Sequence, residues 1–226
     1  MNFIRLILIV ISSVLLATLS ILSTPLNYFK GIGTYIVYRT FARTVLFLCG
    51  ARLEVSFKTP IDKDKQFIIV SNHLSYLDIP VVMVALKNNI RFIYKKQLTK
   101  VPVFGWSMYL GGYVPIDRTN ARSAIESLKK AAQRMKSGFS IAIFPEGTRS
   151  KSGVTGEFKK GIFMLADFAE AQILPVSISG SNKILQKDSY KIHPGTIKVV
   201  INEPMDFKKD KGFLEEVRNV IVENIA

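Results

Sequence analysis

Apolar residues fall along this chain in two different rhythms. From Leu6 to Leu22 they run without a charge, with Arg5 before them and Ser23-Thr24-Pro25 after. The stretch from Ile32 to Gly50 is also apolar, but it carries Arg39 and Arg43 four positions apart, hence on one helix face. Tyr28, Phe29, Tyr35 and Tyr38 lie close by. Beyond Gly50, short β-branched runs alternate with amphipathic stretches, which predicts one α/β domain over residues 51–226 behind a helical segment over 1–50. The predicted strands are Arg52–Phe57, Phe67–Ser71, Arg91–Tyr94, Tyr113–Ile116, Ser140–Phe144, Ile173–Ile178 and Thr196–Ile201. The predicted helices of the domain are Ile79–Lys87, Ala121–Lys136, Lys160–Ala169 and Phe213–Ile225. Strands alternating with helices imply a largely parallel sheet of about seven strands, flanked by helices on both faces. No repeat or long linker divides the chain after residue 50.

The first apolar run is longer than the core of a typical signal peptide, and no Ala-x-Ala cleavage pattern follows it. It is marginally short for a membrane span, though within range if its flanks contribute. Two arginines on one face of the second segment, with aromatics around them, suit a helix lying in a lipid interface with its guanidinium groups reaching phosphates. The favoured reading is a retained membrane-anchoring helical hairpin; a single true span and a cleaved signal are the alternatives.

Composition narrows the partners. Thirty-one Lys and Arg against 17 Asp and Glu give a net charge of +14 over 226 residues. Such a surplus calls for anionic partners: nucleic acid, lipid headgroups or phosphorylated small molecules. The lipophilic N-terminus and a positive mean hydropathy of +0.24 turn the choice toward an anionic membrane surface and away from nucleic acid. A single cysteine, Cys49, excludes an internal disulfide and fits a reducing, cytoplasm-facing compartment. The two histidines, His73 and His193, stand far apart with no Cys/His cluster near either, so no metal site is expected.

A few polar stretches sit where predicted strands end. Ser71 and Asn72 are turn and N-cap residues between the run Phe67–Val70 and an apolar helix. His73 therefore falls at a strand-to-helix junction, with Asp78 about one turn further on. The carboxylate can curl back to one ring nitrogen, fix the tautomer and favour the charged ring, leaving the other nitrogen to take a proton from a substrate hydroxyl. A capping histidine beside a solvated aspartate fits the same pair.

Phe144-Pro145-Glu146-Gly147-Thr148-Arg149-Ser150 must begin a loop, since Pro145 cannot extend a ladder and Gly147 permits a left-handed or closely approached backbone. Loops at the carboxyl ends of strands are where open α/β sheets bind ligands. Arg149 can grip a phosphate with two hydrogen bonds, Thr148 can donate a hydroxyl bond, and Glu146 can hold a cation or a substrate hydroxyl. An ordinary turn with a solvated arginine is the plainer reading. Lys95 and Lys96 precede Phe104, Trp106 and Met108, so cations for a phosphate adjoin residues suited to an acyl groove or a bilayer; a solvated basic loop beside core aromatics is the alternative. Asp117 and Arg118 form either a local ion pair or a place where Arg118 joins Arg149 at one phosphate. Lys159 and Lys160 are unfavourable near a helix N-terminus, a conflict that a bound anion would relieve. His193, followed by Pro194-Gly195, reads as a surface turn residue.

Five of these stretches occur in an order that resembles a known family: Asn72-His73-x4-Asp78, Lys95-x-x-Leu98, Gly112-x-x-x-Ile116-Asp117-Arg118, Pro145-Glu146-Gly147-Thr148-Arg149 and Ile173-Leu174-Pro175-Val176. Together they look like the glycerolipid acyltransferases, nearest to the bacterial 1-acyl-sn-glycerol-3-phosphate (lysophosphatidic acid) acyltransferases, over residues 35–205. The resemblance implies a mixed sheet flanked by helices and an N-terminal helical pair seated in one leaflet. It implies His73 as general base, Asp78 as its orienting partner, and Glu146, Gly147, Thr148 and Arg149 in the glycerol-3-phosphate site with Lys95 and Arg118 nearby. Many members carry Phe where this chain has Pro115.

The reaction so implied is transfer of a fatty acyl group from acyl-CoA or acyl carrier protein to the sn-2 hydroxyl of lysophosphatidic acid. A thioester donor makes a metal or other cofactor unnecessary, and backbone amides near His73 and Gly147 are the candidate oxyanion donors. The expected location is the cytoplasmic face of the inner cell membrane. The rivals are an acyltransferase on another lysolipid, a lipid or thioester hydrolase using water, and a non-catalytic basic module that binds membrane surfaces.

Overall fold

Residues 2–25, 31–150, 153–210 and 212–225 are described by a computed structural model. Tyr28 and Phe29, expected beside the second apolar helix, lie outside the described residues.

Two helices open the chain, α1 (Asn2–Leu22) and α2 (Ile32–Leu48). They pack against each other but differ in what they bury. α1 turns Phe3, Ile4, Val10, Ile11 and Leu15 outward, and among the described residues it is the one helix long and apolar enough to cross a membrane. α2 instead contributes Tyr38, Ala42, Val45 and Leu46, with Cys49 just beyond its end, to the main core. Burial pushes the Cys49 thiol up to about 11.

Arg39 corrects an expectation. Rather than reaching outward to phosphates, its guanidinium donates to the carbonyls of Met83, Val84 and Leu86, at and just past the end of α3 (Asp78–Ala85). Terminal helix carbonyls lack intrahelical donors, and one guanidinium can supply several at once. Arg43 is exposed.

Seven strands follow: β1 (Ala51–Phe57), β2 (Ile68–Ser71), β3 (Ile90–Lys95), β4 (Val114–Ile116), β5 (Ser140–Ile143), β6 (Ile173–Ser179) and β7 (Gly195–Ile201). They form one sheet in the order β1-β7-β6-β2-β5-β3-β4. β2 to β6 run parallel, whereas β7 is antiparallel to β6 and parallel to β1, so the sheet is mixed. The central strand β2 explains its own composition. Phe67 and Ile69 point into one core and Ile68 and Val70 into the other, so residues 67–70 are all apolar.

α2 and α3 cover the first face. On the second lie α5 (Ala121–Lys136), α6 (Gly161–Ala169) and α8 (Phe213–Glu223), through Leu128, Leu165 and Val217 among others. Three short elements were not foreseen: a 3-10 turn at Lys96–Lys100, α4 (Phe104–Leu110) and α7 (Ser181–Ile184). Each is too short to display a helical period. A Cβ at Gly105 would stand 2.2 Å from the Leu98 carbonyl oxygen, so only glycine lets α4 sit against the 3-10 turn. The apolar wall expected of Phe104, Trp106 and Met108 is divided, because Met108 is in the core while Trp106 is exposed.

Because β2 to β6 are parallel, their carboxyl ends share one edge. That edge receives the loops carrying His73, Lys95, Arg118, Glu146 to Arg149, and Ser181.

Candidate active site

The junction after β2 is held from below by Asn72. Its buried amide donates to the Ile178 carbonyl at 2.8 Å and accepts from the Ile178 N–H at 2.9 Å, tying the loop to β6. His73 comes next. Its Nδ1 lies 2.8 Å from Asp78 Oδ2, so the carboxylate accepts the ring proton and Nε2 is the nitrogen not committed to it. The imidazole stacks on Phe144 with 4.1 Å between centroids, which fixes the ring plane.

Asp78 is fully buried as the first residue of α3, where the helix dipole favours a negative charge. Oδ2 also accepts the N–H groups of Leu74 at 2.6 Å and Ser75 at 2.7 Å, and Oδ1 accepts the Ser181 hydroxyl at 2.5 Å. A buried carboxylate is tolerated when donors replace its lost water, and here two sequence segments, residues 73–75 and Ser181, supply them. The loop of residues 73–75 is therefore wound around this one group.

The loop after β5 docks onto the same junction by two hydrogen bonds. The N–H of His73 donates to Glu146 Oε1 at 2.8 Å, and the N–H of Ser150 donates to the His73 carbonyl at 2.8 Å. Glu146 Oε2 accepts the N–H of Gly156 at 2.9 Å. Both oxygens of Glu146 thus serve backbone donors. The amides expected as oxyanion donors are also taken. His73 N–H goes to Glu146, those of Leu74 and Ser75 to Asp78, and that of Gly147 to the Phe144 carbonyl.

Cations gather on the outer side of this loop. Gly147 has φ 74°, and a Cβ there would meet Lys159 Nζ at 3.1 Å and Arg118 Nη1 at 3.6 Å. The left-handed turn favours glycine. Arg118 donates to the Gly147 carbonyl, and burial pulls its pKa below the usual guanidinium value. Asp117 pairs instead with Lys96 at 3.7 Å, so Asp117 and Arg118 face different partners. Lys159 reaches Gly147 rather than standing over the start of α6. The Arg149 guanidinium lies flat on Tyr76 at 3.5 Å from its centroid, and Nη2 is 3.9 Å from Asp188. Its Nη1 is buried with no hydrogen-bond partner among the described residues. Thr148 and Lys95 are exposed, Lys95 at the last position of β3. Among the described residues no group of three or more His, Cys, Asp or Glu side chains could hold a metal ion.

The acyltransferase family profile matches residues 52–179, more than half of the sequence. The chain belongs to the acyltransferase family. Among curated members, the chloroplastic 1-acyl-sn-glycerol-3-phosphate acyltransferase of Brassica napus is 37% identical over 163 residues, 72% of this chain and 47% of that protein. The 1-acyl-sn-glycerol-3-phosphate acyltransferase of Borreliella burgdorferi is 30% identical over 155 residues, 69% of this chain and 62% of that protein. The chain spans about half the length of the plant relatives it matches. Among solved structures, the 1-acyl-sn-glycerophosphate (LPA) acyltransferase PlsC of Thermotoga maritima superposes with a TM-score of 0.78 at 27% identity, covering 99% of this chain and 95% of that one. The family's mixed sheet and N-terminal helices are thus present throughout.

Within this acyltransferase fold, Ser181 and Tyr76 were missed. Ser181 reaches Asp78 across 103 residues of sequence, and no local pattern announces such a bond. Tyr76 lies inside the recognised His-x4-Asp stretch, where its ring supports Arg149.

Proposed function

We propose that this chain transfers a fatty acyl group from a thioester, acyl-CoA or acyl carrier protein, to the sn-2 hydroxyl of 1-acyl-sn-glycerol-3-phosphate, giving phosphatidic acid. The observation that carries this reading is the His73–Asp78 pair, 2.8 Å apart, with Arg149 Nη1 on the adjoining loop buried and without a partner among the described residues. A guanidinium nitrogen left so is costly unless an anion arrives. A phosphate on Arg149, with Arg118, Lys95, Lys159 and Thr148 around it, would hold the glycerol hydroxyl near His73.

In the proposed step, Nε2 takes the hydroxyl proton while the oxygen attacks the thioester carbon. The charged ring is stabilised by the Asp78 carboxylate, which four donors hold in place. The tetrahedral intermediate then expels sulfur, which receives the proton from the ring and leaves as a thiol. Base catalysis of this kind contributes about 10²–10⁴-fold, and holding two lipids in register supplies much of the rest. The donor arrives already activated, so this route calls for no metal or organic cofactor. In this reading α1 holds the enzyme at the cytoplasmic face of the cell membrane, where its acceptor lies.

The test is to incubate purified protein with an acyl thioester and lysophosphatidic acid and weigh the products. Phosphatidic acid formed by the wild type, and lost in His73→Ala, is the expected result. Free fatty acid without phosphatidic acid would make it a hydrolase, and equal turnover by the variant would remove His73 from the mechanism.

A further inference from the structure

The profile that places the chain in its family ends at residue 179, and α8 lies beyond it. That helix is fixed to the sheet. Phe213, Val217 and Ile221 are buried in the second core, and the Ile221 carbonyl accepts the buried Ser177 hydroxyl of β6 at 2.8 Å. A helix so fixed holds Arg218 steady, and this side chain reaches the far end of the loop that carries Glu146 and Arg149. Nη2 donates to the Thr155 carbonyl at 3.0 Å and Nε to the Gly156 carbonyl at 3.1 Å, while Nη1 lies 3.0 Å from Glu215. One edge of the planar group thus grips two consecutive carbonyls, which the point charge of an ammonium does not reproduce. The side chain is 24% exposed, whereas the lysines of the surface ion pairs are more than half exposed, so the grip is largely covered from water.

From this grip the hydrogen bonds run inward. The Thr155 carbonyl and the Gly156 N–H belong to one planar peptide unit and point opposite ways, so fixing the carbonyl aims the N–H. That N–H donates to Glu146 Oε2 at 2.9 Å, and Glu146 Oε1 accepts the His73 N–H at 2.8 Å. An unbroken line of hydrogen bonds therefore joins the C-terminal helix to the backbone of the histidine. The His73 ring has its own supports in Asp78 and Phe144, so what this line sets is where the backbone beneath the ring sits.

We propose that Arg218 is a positioning residue for His73, acting through the Thr155–Gly156 peptide and Glu146. Its effect on rate rests on the acyltransfer reading; its effect on the His73 amide does not. The chain has two histidines, so isotope-labelled histidine gives two backbone amide signals, and His193→Gln tells which is which. Arg218→Met keeps an apolar stem and removes the donors. In it the His73 amide proton should move upfield, as its bond to Glu146 weakens, while the His193 signal stays. The same variant should lower kcat for phosphatidic acid formation about tenfold through misplacement of His73. KM for lysophosphatidic acid should be unchanged, because Tyr76 and Lys187 hold Arg149 separately. Arg218→Lys, which keeps a donor for the Thr155 carbonyl, should recover most of kcat, and Glu215→Gln should keep all of it. In a Glu146→Ala background, where the intermediary is gone, Arg218→Met should lower kcat by less than about twofold more. An unmoved His73 amide overturns the proposal, as does a second loss of full size in the Glu146→Ala background. A rise in KM with kcat kept makes Arg218 a support of the acceptor loop and overturns it too. If the wild type transfers nothing, the acyltransfer reading fails, and the amide signals still decide the role of Arg218.

Discussion

The loops after β2 and β5 touch, yet they are opposite in how far their polar groups are satisfied. After β2, Asp78 accepts four hydrogen bonds and the N–H groups of His73, Leu74 and Ser75 all have acceptors. After β5, Glu146 is likewise satisfied, but beyond it Arg149 keeps a buried nitrogen without a partner among the described residues, and Thr148 is exposed. A saturated network has one low-energy arrangement, so the first loop is preset before any substrate arrives. The cationic loop offers donors that a ligand can take up. In the proposed reaction the first should govern the rate of chemistry and the second the affinity for the acceptor.

Substitutions can break that division. His73→Ala should have the largest effect, a fall of about 10²–10⁴ in kcat with thermal stability close to wild type. Asp78→Asn should lower kcat by up to about 10²-fold, since the amide no longer enforces the tautomer. It should also cost about 1–3 kcal/mol of stability in urea titrations, because an NH₂ would face donors. Arg149→Lys should raise KM for lysophosphatidic acid about 10–100-fold with kcat nearly kept, as a lysine neither stacks flat on Tyr76 nor offers a fork. Were Arg149→Lys to strike kcat alone, the separation of the loops would be lost. Ser181→Ala should be mildest, costing about 0.5–1.5 kcal/mol of stability and a few-fold in kcat.

Legibility in the sequence followed the range of the interaction. Strand β2 was readable because both its faces are apolar, and α5 because its sixteen residues display a full amphipathic period. The His73–Asp78 contact spans five positions and could be foreseen because so short a turn lets the carboxylate curl back to the ring. Glu146 was singled out, but its bonds to the backbone of His73 and Gly156 could not be, since they depend on how two loops meet in space. Arg39 misled for the same reason. Its aromatic, amphipathic setting is that of an interfacial helix, while its partners are carbonyls more than 40 residues away. The antiparallel entry of β7 left no mark in its own pattern, which is that of any half-covered strand.

That inward turn of Arg39 bears on where the apolar leading helix can be cut away. Shortening the chain to residue 31 would discard the greasy leading helix and keep the guanidinium stopper on α3. A cut at residue 50 would strip Val45 and Leu46 from the interior and leave the final carbonyls of the helix begun by Asp78 without donors. A soluble fragment that retains the geometry of the histidine therefore begins before α2, not after it.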